Sequence, residues 1–270
     1  MIHTKIAFIG TGKMATALIS SICKNNLAKE IIASDHQEKN LKKMNKKIFN
    51  QKLKIFSTTD NKEAVRNSDI VFICVKPQDI DAVLNEIKDE VNNQLIVSIA
   101  AGIKITHIES ILNTARIIRV MPNINCLVGE MAAGFSAGKY ATKDDIENVS
   151  QILKAAGMSF FVEEKLIDSL SVVSGAGPAF FAYFIKSIAE AGIKKGLKKE
   201  MAYELAAKTA SGTGKLLLEL KLSPDELIGM VASKKGVTVE ALKILNKEKA
   251  NKTLEQMFNA AYKRSKELGK

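Results

Sequence analysis

The sequence predicts an α/β protein in which a doubly wound, mostly parallel sheet domain comes first and an all-α helical domain follows. Short β-branched runs alternate with amphipathic segments through the first part of the chain, and strand-like alternation is absent from Leu166 onward. The length of 270 residues and the hydrophobic content of 46% agree with two domains rather than one. We expect the domains to be 1–165 and 166–270.

The predicted strands of the first domain are short apolar runs, and helical patterns separate them. The runs lie at residues 5–10, 30–35, 53–57, 69–75, 94–100, 116–122, 131–138 and 159–164. Helical patterns cover 13–24, 37–47 and 142–156, and Asp60 has the side-chain type that caps a helix start.

The second domain contains one segment, residues 178–192, whose apolar side chains nearly encircle the predicted helix. Pro178 suits the first turn of this helix and Gly192 suits its end. A helix that is apolar all round must be covered on every side, and the helical domain is too small to do this alone. We therefore expect a homodimer formed through the helical domain.

Composition excludes several other classes of protein. The first ten residues lack the pattern of a secretion signal, and no apolar run reaches the roughly 18 residues that span a bilayer, so we expect a cytoplasmic protein without a membrane segment. The three cysteines are widely spaced and predict neither a disulfide nor a metal site. The net charge of +11 comes mainly from lysine, and with only four arginines it indicates a solvated surface rather than a nucleic-acid partner.

A glycine-rich turn follows the first predicted strand and opens a helix. Gly10, Gly12, Lys13 and Met14 belong to a GxGxxA sequence that ends at Ala15. Its first glycine permits the tight turn, its second lets a pyrophosphate approach the backbone, and its alanine lets strand and helix pack closely. Asp35 ends the second strand 25 residues after Gly10, as expected for a residue that binds the adenosine ribose. The pattern predicts a Rossmann-type, dinucleotide-binding first domain.

Several segments, in this order along the chain, resemble pyrroline-5-carboxylate reductases. They are Val75-Lys76-Pro77-Gln78, Arg119-Val120-Met121-Pro122-Asn123 with Val128-Gly129-Glu130, Asp168-Ser169-Leu170 with Ser174-Gly175-Ala176-Gly177-Pro178-Ala179, Ser233-Lys234-Lys235-Gly236-Val237-Thr238, and the tail that ends at Arg264-Ser265-Lys266-Glu267-Leu268. Together these segments extend over nearly the whole chain. Their combination indicates the family far more specifically than any single segment does.

The resemblance implies an oxidoreductase that reduces L-1-pyrroline-5-carboxylate to L-proline with NADPH or NADH, the last step of proline biosynthesis. It also implies a homodimer, in some members assembled further into a ring of dimers. The cofactor-binding residues that it implies beside the glycine-rich turn and Asp35 are Val75, Lys76, Pro77, Ala100 and Asn123. The implied substrate-binding residues are Ser174, Ser233, Gly236, Val237 and Thr238, with Thr238 as the catalytic group at the ring nitrogen and Ser233 and Gly236 at the carboxylate.

The chemistry of an imine agrees with the residue types present. A dehydrogenase of alcohols needs a base such as His or Lys, but all three histidines lie in the first half of the chain. The lysine–asparagine pair of β-hydroxyacid dehydrogenases is missing, because Lys186 is followed four residues later by Glu190. A cyclic imine arrives protonated near neutral pH and mainly requires orientation. We therefore expect Lys76 to position the cofactor rather than to act as an acid.

Three replacements separate this chain from the family pattern. Residues 124–126 are Ile-Asn-Cys instead of Thr-Pro-Ala, Ala176 replaces a serine, and Lys234 to Val237 replace Pro-Gly-Gly-Thr. Because these positions lie near the implied substrate loops, a reductase of another cyclic imine or imino acid stays open, as does a non-catalytic dinucleotide-binding regulator. Ser233 and Thr238 have a simpler interpretation as helix-capping residues, and Cys126 is expected to be a buried apolar residue rather than a reactive thiol.

The choice between NADPH and NADH depends on the end of the second strand. Asp35 would accept hydrogen bonds from the ribose hydroxyls of NADH and repel the 2′-phosphate of NADPH, so this residue favours NADH. Many relatives that use NADPH have an Asn-Arg pair where this chain has Asp35 and His36. Lys39, Lys42 and Lys43 follow closely, however, and a lysine that turned inward could pair with the phosphate.

Overall fold

A computed structural model of the chain describes residues 4–48 and 53–268. Its sheet has eight strands in the described residues: β1 (Lys5–Ile9), β2 (Glu30–Ser34), β3 (Lys54–Thr58), β4 (Ile70–Ile73), β5 (Leu95–Ser98), β6 (Arg116–Met121), β7 (Met131–Ala137) and β8 (Gly157–Phe161). The order across the sheet is β3-β2-β1-β4-β5-β6-β7-β8, and each neighbouring pair is parallel except β6 with β7. The predicted doubly wound sheet is confirmed.

Helices pack on both faces of this sheet, and the described residues after β8 contain helices but no further strand. The helices are α1 (Lys13–Asn25), α2 (Glu38–Lys47), α3 (Asn61–Arg66), α4 (Ile80–Ile87), α5 (Ile105–Leu112), α6 (Lys143–Lys154), α7 (Ile167–Leu170), α8 (Gly177–Ile193), α9 (Lys199–Glu219), α10 (Pro224–Val231), α11 (Val237–Lys247) and α12 (Ala250–Leu268). After Phe161 the described residues form helices and connecting turns, which confirms the predicted all-α part. Asp60 caps α3 as predicted, since its carboxylate accepts from the N–H groups of Lys62 and Glu63.

Alternate residues of the central strands enter two separate hydrophobic cores. In β1, Ile6 and Phe8 pack on one face of the sheet, whereas Ala7 and Ile9 pack on the other. Phe8 stacks on Phe72 of β4 with 4.8 Å between ring centroids. Burial on both faces explains why these strands are continuous apolar runs in the sequence.

The last strand begins and ends earlier than expected. We expected residues 159–164, but β8 runs from Gly157 to Phe161, and Glu164 starts a 3₁₀ turn. The strand starts at Gly157 because this residue pairs with Met131 of β7 and has a φ of 149°, which a residue with a side chain rarely adopts.

The chain divides by contacts into two compact units. The first comprises residues up to Ala176 together with those from Tyr262 onward, and the second comprises Gly177–Ala261. The C-terminal end belongs to the first unit in part because the Ser265 hydroxyl donates to Asp168 Oδ1 at 3.1 Å. The division at residue 165, which the change in sequence pattern predicts, stays a prediction.

The second unit exposes many large apolar side chains. The predicted helix at 178–192 is confirmed as α8, and Phe181, Tyr183 and Ile188 on it are each 65–68% exposed. By length and composition alone, the helical stretch Glu164–Ile193 could cross a membrane, and 17% of its most apolar part is buried. An exposed apolar surface of this kind is typical of an interaction site.

Candidate active-site residues

The turn after β1 has the tight geometry that its first glycine permits. Gly10 has a φ of 89°, and its N–H donates to the Ser34 carbonyl at 2.8 Å. A Cβ on Gly10 would lie 3.0 Å from the backbone carbon and oxygen of Cys74. The positive φ and the close approach to the Cys74 backbone together favour glycine at this position.

The second glycine of the motif has no such packing reason. Gly12 is the N-cap of α1, and a Cβ built on it would meet nothing within 4 Å. The start of α1 has no acidic residue in its first turn and no side-chain cap. Free N–H groups at a helix start attract anions, and a bare Gly12 leaves room for a phosphate group to approach them. The geometry thus fits the pyrophosphate of a dinucleotide.

Asp35 is tied closely to the glycine-rich turn. Its Oδ2 accepts hydrogen bonds from the backbone N–H and the hydroxyl of Thr11, each at 3.0 Å, and its Oδ1 accepts from Gln37 N at 2.9 Å and Asn40 Nδ2 at 3.0 Å. Burial acts to raise the pKa of this carboxyl, but these hydrogen bonds outweigh burial and hold the pKa below its ordinary value. The sequence did not indicate the contributions of Thr11 and Asn40.

His36 lies in a second polar cluster at the end of β2. Its Nε2 is 3.2 Å from Asn61 Nδ2 and 3.5 Å from Glu86 Oε2. Asn61 is buried, accepts from the Ser34 hydroxyl at 2.7 Å and donates to Glu86 at 2.8 Å. The His36 side chain therefore contacts Asn61 of α3 and lies near the carboxylate of Glu86 on α4.

Four of the resemblance-based cofactor residues follow two neighbouring parallel strands. Val75, Lys76 and Pro77 come two to four residues after β4, and Ala100 comes two residues after β5. Lys76 is exposed and precedes the short 3₁₀ turn that Pro77 opens, and Val75 packs on the core. Because the carboxyl ends of parallel strands meet at one edge of the sheet, these residues share an edge with Gly10 and Asp35.

Asn123 follows β6 and joins two segments that the sequence separates. Its Oδ1 accepts from Ala132 N at 3.1 Å, and its Nδ2 donates to the Ser174 carbonyl at 3.1 Å. The Ser174 hydroxyl donates in turn to the Leu170 carbonyl at 3.1 Å. Both predicted site residues therefore have hydrogen bonds that hold the backbone between β6 and α8.

The remaining candidates lie in the second unit, at the start of α11. Gly236 is the N-cap of this helix, Val237 is 89% exposed, and Thr238 follows in the first turn. The Gly236 N–H donates to the Ser233 carbonyl at 2.9 Å, so the two residues form one tight turn. No side chain in the described part of the chain caps α11, so the simpler capping interpretation of Ser233 and Thr238 does not apply.

Cys126 is buried in one of the two hydrophobic cores of the sheet domain. It is 3% exposed, and burial raises the pKa of its thiol to about 11. A neutral, buried thiol is a poor nucleophile. Within residues 4–48 and 53–268, no three His, Cys, Asp or Glu side chains lie close enough together to hold a metal ion.

Comparisons with known proteins agree over the whole chain. Residues 164–268 match the family model "pyrroline-5-carboxylate reductase dimerisation", and residues 5–102 match "NADP oxidoreductase coenzyme F420-dependent". The pyrroline-5-carboxylate reductase of Methanosarcina acetivorans is 38% identical, and the match covers 100% of both chains.

Two solved structures have the same fold over their full length. A pyrroline-5-carboxylate reductase from Coxiella burnetii superposes with a TM-score of 0.92 at 30% identity and covers 99% of each chain. The pyrroline carboxylate reductase of Plasmodium falciparum, solved with NADP bound, gives 0.86 at 28% identity and covers 100% of each chain. The chain belongs to the pyrroline-5-carboxylate reductase family.

Proposed function

We propose that this protein reduces L-1-pyrroline-5-carboxylate to L-proline with a nicotinamide cofactor, as the last step of proline biosynthesis. The observation that carries the proposal is the 38% identity to a pyrroline-5-carboxylate reductase with complete coverage of both chains. A match confined to the sheet would support only dinucleotide binding.

The first unit would hold the cofactor. The pyrophosphate would lie on the start of α1 at Gly12, Lys13 and Met14, where the N–H groups are uncapped. Val75, Lys76, Pro77 and Ala100 would lie along the nicotinamide side, since they follow β4, which pairs with β1, and β5, which pairs with β4. The bound cofactor supplies the hydride.

The substrate would contact the start of α11. The uncapped N–H groups after Gly236 attract a carboxylate, and Ser233 would donate to the same group. The hydroxyl of Thr238, in the first turn, would bond to the ring nitrogen. Ser174, whose carbonyl accepts a hydrogen bond from Asn123, is a further proposed substrate-binding residue.

Orientation would supply most of the catalysis. The imine nitrogen is basic enough to be protonated in solution, and the resulting iminium carbon accepts hydride without a proton relay. This agrees with a set of proposed residues that contains no histidine. Lys76 is exposed and lies three residues after the end of β4, which suits a residue that positions the cofactor.

We propose that two copies associate through residues 166–270. The exposed apolar side chains of α8 support this, as does the match of residues 164–268 to a dimerisation model. A partner subunit would also account for the apolar stretch Glu164–Ile193 without a membrane.

We propose in addition that residues 1–165 form the cofactor domain. We also propose that the enzyme works in the cytoplasm with neither a membrane nor nucleic acid as partner.

Steady-state kinetics test the proposed function. Oxidation of the reduced nicotinamide is followed by absorbance with pyrroline-5-carboxylate, its 2-carboxylate isomer and the six-membered homologue. We expect the highest kcat/KM with pyrroline-5-carboxylate. A higher value with another imine would assign the enzyme to that substrate, and cofactor binding without turnover on any imine would indicate a regulator.

A further inference from the structure

A π-helical turn, Ser171–Ala176, lies in the chain between α7 and α8. A π turn is wider than an α turn, is rare in proteins, and occurs mostly as one inserted turn at a functional site. This turn contains Ser174, one of the proposed substrate-binding residues. The contacts that hold the turn therefore determine how Ser174 is presented to a ligand.

Asn123 is a buried amide that is bound to the protein at both ends. It is 4% exposed. Its Oδ1 accepts from the Ala132 N–H at 3.1 Å, and its Nδ2 donates to the Ser174 carbonyl at 3.1 Å. A buried amide that lost either bond would keep an unsatisfied polar group, which is costly. The side chain of Asn123 is thus occupied by two backbone groups and has little surface left for a cofactor.

Close packing joins the same two segments. A Cβ on Gly175, in the π turn, would lie 2.8 Å from Cε of Met121, the residue that ends β6. A Cβ on Gly134 of β7 would overlap the side chain of Leu170, which ends α7. Glycine at both positions lets the π turn and the residue before it approach the sheet closely. The hydrogen bond from Asn123 therefore belongs to a packed contact.

The hydroxyl of Ser174 is held as well as its carbonyl. The hydroxyl donates to the Leu170 carbonyl at 3.1 Å, one turn earlier in the helix. Ser174 is only half-buried, so its hydroxyl oxygen, which has lone pairs to spare, can meet a ligand. A group that is fixed before binding loses less conformational freedom when the substrate arrives.

We propose that Asn123 is a positioning residue of the reductase: it holds the π-helical turn Ser171–Ala176 through the Ser174 carbonyl and thereby fixes Ser174 for the substrate. The inference rests on the proposed function and deepens it. It also gives Asn123 a different role from the one that the resemblance implies, because the side chain acts on the π turn and not on the cofactor. A carboxylate could accept from Ala132 in the same way but could not donate to Ser174.

Hydrogen exchange tests the hold on the turn without turnover. Asn123→Asp removes the donor, Asn123→Ala removes both bonds without adding a charge, and Asn67→Asp is the control. Asn67 also donates through Nδ2 to a backbone carbonyl, that of Glu63 at 2.9 Å, but at the end of α3. We expect the amides of residues 171–178 to exchange about fivefold faster or more in both Asn123 variants, the scale of one lost hydrogen bond. Asn67→Asp should exchange there at the wild-type rate.

Kinetics and cofactor binding separate positioning from a general loss of structure. In Asn123→Asp the KM for the imine should rise about fivefold with kcat within about twofold, because Ser174 is assigned to binding. The Kd for NADPH should stay within about twofold. Ser174→Ala should give a similar rise in KM. The double variant should be no worse than the more affected single variant, because Asn123 acts through Ser174. If Asn123→Asp does not fold, Asn123→Ala gives the same readouts.

Three results would overturn the proposal: wild-type exchange of residues 171–178 in both Asn123 variants, weaker NADPH binding with an unchanged KM for the imine, or additive effects of the Asn123 and Ser174 substitutions. The second result would return Asn123 to the cofactor site. The proposed function fails separately. If wild type reduces no imine but the Asn123 variants exchange faster, the hold on the turn is supported and the reductase activity is not.

Discussion

Thr11 donates two hydrogen bonds to one oxygen atom of Asp35: its backbone N–H and its hydroxyl both lie 3.0 Å from Oδ2. This contact joins the turn after β1 to the residue that follows β2. Gln37 and Asn40 bind the other oxygen, so a single carboxylate holds the glycine-rich turn and the start of α2 in place.

The first prediction concerns Asp35→Asn. An amide at this position cannot accept all four hydrogen bonds, and we expect a loss of about 2 kcal/mol in the free energy of unfolding at neutral pH. The folded pKa of Asp35 lies below its ordinary value of 3.8. The stabilisation by the carboxylate is therefore complete above that ordinary value and is lost as the pH falls through the lower, folded pKa.

Urea unfolding of wild type and Asp35→Asn between about pH 7 and pH 2 measures this effect. The difference in stability should stay constant down to about pH 5 and then shrink in acid. Glu38→Gln, which changes an exposed carboxylate at the start of α2, is the control. A difference that does not change with pH would show that the ionised form of Asp35 contributes nothing.

The second prediction compares the two glycines of the turn. Gly10→Ala places a Cβ 3.0 Å from the Cys74 backbone at a positive φ, and we expect it to lower stability by about 2 kcal/mol or more. Gly12→Ala meets no neighbour, so stability should change by less than about 0.5 kcal/mol. Its methyl group would instead obstruct the pyrophosphate and weaken NADPH binding by about tenfold or more.

Thermal unfolding and NADPH fluorescence titration separate the two effects. If Gly12→Ala binds NADPH as tightly as wild type, the pyrophosphate does not lie at the start of α1.

The third prediction is that Thr238→Ala lowers kcat/KM for the imine by about tenfold, the value of one lost hydrogen bond. The Kd for the cofactor should stay within about twofold, because Thr238 lies in the first turn of α11 and not at the glycine-rich turn. Thr238→Ser keeps the hydroxyl and serves as the matched control. Equal kinetics in the alanine variant and wild type would remove Thr238 from the site.

The fourth prediction concerns the dimer. Ile188 is 67% exposed on α8, so Ile188→Glu is expected to leave each subunit folded but to place a charge in the proposed interface. Light scattering at micromolar concentration should show dimers for wild type and monomers for the variant. Phe56→Glu replaces an apolar residue of β3 that is 52% exposed and should leave the dimer intact. A stable, active wild-type monomer would contradict the interface.

The strands could be predicted because both faces of the sheet are buried. Ile70–Ile73 and Leu95–Ser98 are almost wholly apolar for this reason, and their runs stand out in the sequence. The start of β8 could not be predicted, because Gly157 has the signature of a turn and extends the strand only through its pairing with Met131.

Spacing alone was enough to predict that Gly10, Gly12 and Asp35 lie near one another, and the contact of Asp35 with Thr11 agrees. The partners of Asp35 were not predictable, since the contact with Thr11 joins residues 24 positions apart and depends on how closely β1 and β2 approach. The preference for NADH inferred from Asp35 treated its carboxylate as free. Its hydrogen bonds are visible only once the loops are placed in three dimensions.

Hydride transfer from a cofactor deuterated on the transferred face of its nicotinamide tests the central claim most directly. Purified protein is incubated with this cofactor and pyrroline-5-carboxylate, and the product is analysed by mass spectrometry. The account predicts L-proline with a single deuterium. The deuterium lies on the ring carbon that was the imine carbon of the substrate. Cofactor binding without any labelled proline would contradict it.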